Sequence, residues 1–377
     1  MHTGHDEAFN PFEIRDDPYP TYARLREDDP VHHSDVIDAW VLSRYSDVEH
    51  ALKDPRFSSR RSEDSAGGSM VFDDPPDHTR LRNLVNKPFA KAVEQMTPRI
   101  ETLCEQLLSD ALSRDEIDLV ADFAYPFPLR VIGELLGVGS SDRDRFKRWA
   151  DEIAASLDHV GSTAPRVGGD ETESLAGYLA AVVEERRAHP RDDFVSYLAA
   201  EPLTDGEVLG LSILLLFAGH ETTVNLIGNG VLSLMRHPDQ LERLRADPTL
   251  LRTAIDEFLR FEPPVHIARR RLLEDVQIHG RTMPAGDPVV LLLGSANRDR
   301  FRFDDPDTLD VGRKPNPHVT FGHGIHFCLG APLARIEGRV AFSALLERLP
   351  DLRLATDEVR WRETVVLRGL ESLQLVR

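Results

Sequence analysis

The chain has 377 residues and a net charge of −19, from 64 acidic against 45 basic side chains. That balance excludes a general affinity for nucleic acid or an anionic membrane, because the summed field repels both. A hydrophobic content of 41% is enough for a large soluble core, and two cysteines, Cys104 and Cys328, do not make a disulfide framework and fit a reducing, cytoplasmic setting.

In chain order, the first ~90 residues are rich in Pro and Asp and read as short helices and a β-hairpin ("AWVLSRY") between turns. The start lacks a charged-then-apolar pattern, so no signal peptide is expected. "DPPDHTRLRNLVNKPFA" predicts a helix opening at about Asp77, and from about 93 to 260 the 3.6-residue period dominates. Cys104 shares a helical stripe with Ile100, Leu103, Leu107, Leu108 and Leu112, which predicts a small buried residue. "RVGGDETES", 166–174, reads as a loop between helices. "PLTDGEVLGLSILLLFAGHETTVNLIGNGVLSLMRHP" is the strongest helical signal: Thr204 and Glu207 form a capping box, and His237-Pro238 closes the helix. It is apolar on nearly all sides through its first half, so it is expected to cross the interior. Its most apolar run, Leu209–Gly219, is about half the ~20 residues of a membrane span. A further helix over 249–261 ends at "EPP", followed by a strand-turn-strand region, "DVQIHGRTMPAGDPVVLLLGSAN". An irregular Pro/Asp-rich segment, 299–319, leads to "FGHGIHFCLG" and then to the helix "GAPLARIEGRVAFSALLERL".

The stretch Phe321–Gly330 carries the chemistry. Cys328 stands just before a helix N-terminus, where the macrodipole and unpaired N–H groups favour a thiolate. Gly322 and Gly324 allow a tight turn, and Gly330 lets backbone N–H groups approach the sulfur. The residues admit three readings: a structural glycine turn, a zinc site of His323, His326 and Cys328 in need of a fourth ligand, and a haem iron with one thiolate ligand. In the long helix, Ala218 and Gly219 leave room for a flat ligand, and Thr222 is placed to bond back to the carbonyl of Ala218. Glu257 and Arg260, three apart on one helix, are placed to pair.

"FGHGIHFCLG" resembles the haem-binding signature of the cytochromes P450, F-G-x-G-x-H-x-C-x-G, at every fixed position. "AGHETT" is similar to the family's A-G-x-[DE]-T and "EFLR" to its E-x-x-R, in the family's order, so the resemblance covers essentially the whole chain. It implies a mainly α fold with a small β region in one domain, residues 1–377, with haem b between the long helix and the Cys-bearing loop. Length alone suggests two or three domains, whereas these motifs tie residues 78 to 330 to one cofactor.

The resemblance implies that Cys328 ligates iron and that Phe321 shields the thiolate. His78, Arg82, Arg270 and His326 meet the two propionates. Ala218, Gly219, Gly322 and Gly330 allow close approach, and His323 is left variable. Glu221 and Thr222 deliver protons in a monooxygenase reaction that consumes dioxygen (O2). The family places an Arg where this chain has Thr308 to complete a triad with Glu257 and Arg260, and Arg298 and Arg313 are both candidates for that place. The substrate is expected against Met70, Val71, Phe72, Leu214, Phe217, Ala218, Val265, His266, Ile267, Val366 and Leu367, with His266 as a hydrogen-bond donor. That lining suits a medium-sized, mainly apolar molecule of secondary metabolism. Electrons are expected from a ferredoxin and its reductase, docking on Arg80, Lys87, Lys91, Arg335 and Arg339 of a monomer. A peroxide-driven enzyme and a non-catalytic haem sensor are the alternatives.

Overall fold

The computed structural model describes residues 9–60, 70–111, 113, 116–139, 143–158, 170–348 and 353–376. Ten main helices are α1 (Tyr19–Asp28), α2 (Tyr45–Lys53), α3 (Asp77–Ala111), α4 (Pro126–Leu136), α5 (Arg143–Leu157), α6 (Asp170–Ala188), α7 (Phe194–Ala200), α8 (Asp205–Arg236), α9 (Pro238–Ala246) and α10 (Leu251–Phe261), with a short α11 (Leu293–Ala296) and a long α12 (Ala331–Arg348) following the sheet strands. The strands are β1 (Val31–Ser34), β2 (Ala39–Leu42), β3 (Phe57–Ser58), β4 (Glu116–Asp118), β5 (Ile267–Leu272), β6 (Val276–Ile278), β7 (Arg281–Met283), β8 (Pro288–Leu292), β9 (Arg353–Leu354) and β10 (Gln374–Val376).

The axle is α8, 32 residues long. Its capping box is formed as the sequence predicts: the Thr204 hydroxyl accepts from Glu207 N, and the Glu207 carboxylate accepts from Thr204 N at 2.8 Å. The helix packs on α4, α6, α10 and α12. Although it is long and apolar enough to cross a membrane by length and composition, 67% of its most apolar window is buried inside the protein. Its burial joins Ile100, Leu103 and Cys104 of α3, Ile132 and Leu136 of α4, and Phe258 of α10 into one apolar core. Removing that much apolar surface from water is the dominant favourable term of folding. Cys104 is fully buried, as its stripe predicts.

The main sheet has the order β1-β2-β8-β5-β3, with β2 and β8 parallel and the other pairs antiparallel. The hairpin expected at "AWVLSRY" is β1–β2, its second strand ending at Leu42 and α2 starting at Tyr45. One expectation needs correction, and two elements go beyond the sequence reading. The helix opening at Asp77 runs on through Pro88 and Pro98 to Ala111, because its packed face outweighs two missing donors. The segment expected as a loop over 166–174 is helical from Asp170, and 166–169 lie outside the described residues. Strand β5 was not anticipated: "IARRRL" lacks a clean apolar alternation, yet it pairs with β8 from Ile267–Leu292 to Arg271–Pro288.

Candidate active site

A cavity of about 340 Å³ lies between α8 and the Cys328 loop. The loop is shaped by two residues in the left-handed region, Gly322 and Gly324, each at φ +69°. At Gly324 a side chain is also excluded by space, since a Cβ would lie 2.8 Å from the carbonyl oxygen of Leu52. Cys328 N donates to the carbonyl of Phe321 at 2.9 Å, closing the loop beneath the sulfur. Phe321, Gly322, His326, Cys328 and Gly330 all line the cavity. His323 does not. Its Nδ1 accepts from Gly324 N, and its Nε2 is 3.5 Å from Glu49. Among the described residues no three His, Cys, Asp or Glu side chains converge as metal ligands, so the zinc reading fails on geometry.

Burial pushes the Cys328 thiol up, against the pull of the Gly330 N–H and the Arg82 guanidinium. Burial therefore opposes the pull of the helix end toward the thiolate that the sequence suggests. A cation at the sulfur is what would reverse that balance.

Four nitrogen-bearing side chains surround the cavity on another side: His78 and Arg82 from α3, Arg270 from β5 and His326 from the turn before α12. The rings of His78 and His326 are 4.2 Å apart. Burial first, then the neighbouring His78 and Arg270, pushes His326 down to about 3. Burial likewise takes Arg270 down to about 10. Both ring nitrogens of His78 and Nε2 of His326 are buried without a hydrogen-bond partner. Such a crowd of donors is costly unless an anion shares the space. The sulfur in one wall and the unmatched donors beside it therefore fit a haem, with its iron and two carboxylates.

The opposite wall is α8. Ala218, Gly219 and Thr222 line the cavity, and Thr222 Oγ1 donates to the carbonyl of Ala218 at 3.0 Å, as the sequence predicts. Gly219 has a second reason to be small: a Cβ there would stand 2.8 Å from Ile132 of α4. Glu221 is buried and is absent from the cavity lining. It pairs with Arg362 from the C-terminal segment, which also holds Asp151 of α5, and its Oε2 lies 3.5 Å from His220 Nε2.

Of the residues expected against the substrate, Met70, Val71, Leu214, Ala218 and Val265 line this cavity. Phe72, Ile267 and Val366 line a second one of about 260 Å³ that adjoins it. Phe217 packs in the core with Val365, and Leu367 is buried while bridging Val265, so neither lines the cavity. His266 must be corrected. Its Nδ1 is 3.4 Å from the Tyr22 hydroxyl and its Nε2 is 3.7 Å from Glu262, on the far side from the cavity. Burial pushes it down to about 4. Extended backbone turns successive side chains to opposite faces, which separates it from Val265. Phe89, Leu259, Leu293 and Thr320 complete the cavity and were missed, since each reads as ordinary core until the fold brings it there.

Behind the loop, Glu257 and Arg260 are completely buried and joined by two bonds of 2.7 Å. The open third place is filled by Arg313, whose Nε donates to Glu257 Oε1 at 3.2 Å. Arg298 instead donates to the carbonyl of Phe261 and to Asp307. Thr308 contributes its carbonyl, which accepts from both Arg260 and Arg313 at 3.1 Å.

Comparison with known proteins agrees with this geometry. The Cytochrome P450 family model matches residues 36–355. The chain is 43% identical to cytochrome P450 107B1 of Saccharopolyspora erythraea, over 98% of this chain and 96% of that one. It is 37% identical to the polyketide biosynthesis cytochrome P450 PksS of Bacillus subtilis, over 96% of each. The solved structure of P450BioI in complex with hexadec-9Z-enoic acid ligated acyl carrier protein superposes at a TM-score of 0.91, with 37% identity, covering 97% of this chain and 99% of that one.

Proposed function

Since the chain belongs to the cytochrome P450 family and is an oxidoreductase of the monooxygenase class with a haem-thiolate cofactor, we propose that it uses haem b and O2 to oxidise a medium-sized, mainly apolar molecule of secondary metabolism. The observation that carries the reading is the convergence on one cavity of the Cys328 sulfur, the buried and unpartnered ring nitrogens of His78 and His326, the Arg82 and Arg270 guanidinium groups and the Thr222 hydroxyl. Bound haem supplies an electron-rich iron centre at which oxygen is activated.

The chain's own residues do the rest. Cys328 would hold the iron through its sulfur. Arg82 and Arg270 would pair with the haem carboxylates, and His78 and His326 would donate beside them. The Thr222 hydroxyl, which donates to Ala218 O, is a proton donor of α8 in the cavity wall. Glu221 is held behind it: Arg362 pairs with both Glu221 and the half-exposed Asp151, and this fixes the carboxylate one residue from Thr222, where it would exchange protons with that hydroxyl. The apolar wall of Met70, Val71, Leu214 and Val265 excludes water and orients the substrate.

The names of the relatives support the substrate class, one being a polyketide-biosynthesis enzyme. We read ferredoxin and ferredoxin reductase as electron donors to a cytoplasmic monomer. Lys87, Lys91 and Arg339 are exposed for docking, while Arg80 pairs with Glu207 and Arg335 with Asp256. Product formation with ferredoxin, its reductase and reduced nicotinamide tests this function. Turnover with peroxide alone, or ligand binding without product, would replace it with one of the two alternatives.

A further inference from the structure

Phe321 is backed by a charged cluster that the site as described leaves unused. The centre of its ring lies 4.6 Å from the guanidinium carbon of Arg335 and 5.6 Å from the centre of the His318 ring. Asp256 of α10 ties these two together: its Oδ1 accepts from Arg335 Nε at 3.0 Å and lies 3.6 Å from His318 Nε2. Asp256, His318 and Arg335 are all absent from the cavity lining, whereas Phe321 and Cys328 belong to it. The cluster therefore reaches the cysteine loop from outside the haem space.

The local sequence puts Arg335 there. It stands just past the first turn of α12, and a helical Cβ points toward the N-terminus, so the side chain leans back toward the loop that carries the sulfur. Cys328 N donates to the carbonyl of Phe321 at 2.9 Å, which fixes ring and sulfur in that one loop. Two guanidinium groups act through space on the sulfur, Arg82 and Arg335, and both favour its anionic form. Arg82 lies in the cavity wall, among the groups assigned to the haem carboxylates. Arg335 has no such task. Burial pushes His318 down, so at neutral pH the charges of the cluster are those of Arg335 and Asp256.

Resting on the reading that Cys328 holds the iron, we propose that Arg335, positioned by Asp256 against the face of Phe321, sets the reduction potential of the haem. Reduction moves one electron from the ferredoxin to the iron, ferric to ferrous, so the iron–sulfur unit gains one negative charge. A cation behind the sulfur stabilises that added charge and eases electron uptake, and the Asp256 carboxylate offsets part of its field. Arg335 tunes the electron acceptor, whereas the exposed Lys87, Lys91 and Arg339 are left to meet the donor protein.

The test is spectroelectrochemical titration of the haem-loaded protein by itself, with no ferredoxin present, so that docking cannot contribute. Arg335→Gln keeps a donor for Asp256 and removes the charge. It is expected to weaken one-electron reduction about three- to tenfold, a potential about 28–59 mV more negative. The modest size follows from screening, since the Arg335 side chain is 40% exposed. Arg335→Lys keeps the charge and is expected to keep the potential. Asp256→Asn keeps an acceptor for Arg335 Nε and removes the counter-charge, so it is expected to make the potential less negative. Opposite signs for the two neutralisations are the mark of a charge effect, because lost packing around the loop has no reason to give them. An unchanged potential in Arg335→Gln overturns the proposal, as does a shift of the same sign in both variants. If one of the two fails to fold, the sign of the other against the unaltered protein decides alone. The reduced carbon monoxide spectrum of the same samples keeps the two readings apart: a missing thiolate band in the unaltered protein refutes the ligation by Cys328, whereas an intact band with unmoved potentials refutes only this inference.

Discussion

Glu257→Ala should be far more damaging than its distance from the cavity suggests. The Glu257 carboxylate accepts from Arg260 Nε and a terminal Arg260 nitrogen, from Arg313 Nε, from Asp310 N and from Asn316 Nδ2. Arg260 is completely buried, so the substitution leaves a guanidinium in the interior without its counter-charge. Breaking a buried pair from one side costs about 3–5 kcal/mol. A domain is stable by only about 5–15 kcal/mol, so a large share is lost. Arg313→Ala leaves the Glu257–Arg260 pair intact and removes one charge-assisted bond to that carboxylate, worth about 1.5–3 kcal/mol, together with more exposed bonds to the carbonyls of Asp304, Asp305 and Thr308. Urea unfolding followed by circular dichroism, with haem retention as a second probe, measures both. The order expected is Glu257→Ala worse than Arg313→Ala, and Arg298→Ala with no effect on the Glu257 pair. A Glu257→Ala protein within about 1 kcal/mol of the unaltered chain would refute the reasoning, because the buried charge would then cost less than any buried pair should.

Thr222→Ala should keep the thiolate spectrum and substrate affinity while product formed per electron pair falls steeply, on the scale of about 10²–10⁴ for a lost proton donor; unchanged coupling would remove Thr222 from that role. Gly324→Ala places a Cβ against Leu52 O at a positive φ, so thermal stability and haem content should both drop, and an unaltered melting temperature would contradict the close contact. Glu337 of α12 is fully buried, with Thr223 Oγ1 donating to it at 2.9 Å, and burial raises its carboxyl well above 4.5. The folded protein therefore binds more protons than the unfolded chain above that pH, so this group's contribution to stability falls as pH rises from about 4.5. Glu337→Gln should flatten that decline, and parallel stability curves for the two proteins would count against it.

The helices were legible because their signals are local. The capping box of Thr204 and Glu207, the stop at His237-Pro238 and the Cys104 stripe each depend on residues within a few turns, and each stands in the fold as read. The cysteine loop was legible for the same reason, since one short stretch holds its glycines and its thiol. What the sequence did not disclose lies in pairings across the chain. Arg313 rather than Arg298 reaches Glu257 because a loop 56 positions away folds back on α10. Arg362 meets Glu221 across 141 positions. His266 was read into the cavity with Val265, and only the direction of the extended chain separates them. The arginine run of β5 hid a strand and divided its charges between two cavities, which no period in the sequence announces.

The central claim is that Cys328 ligates a haem iron. The reduced carbon monoxide complex measures it most directly: the unaltered protein should absorb at the long-wavelength position typical of thiolate ligation, and Cys328→Ala should lose that band. A histidine-like spectrum from the unaltered protein, or a thiolate band that persists in Cys328→Ala, would contradict the account.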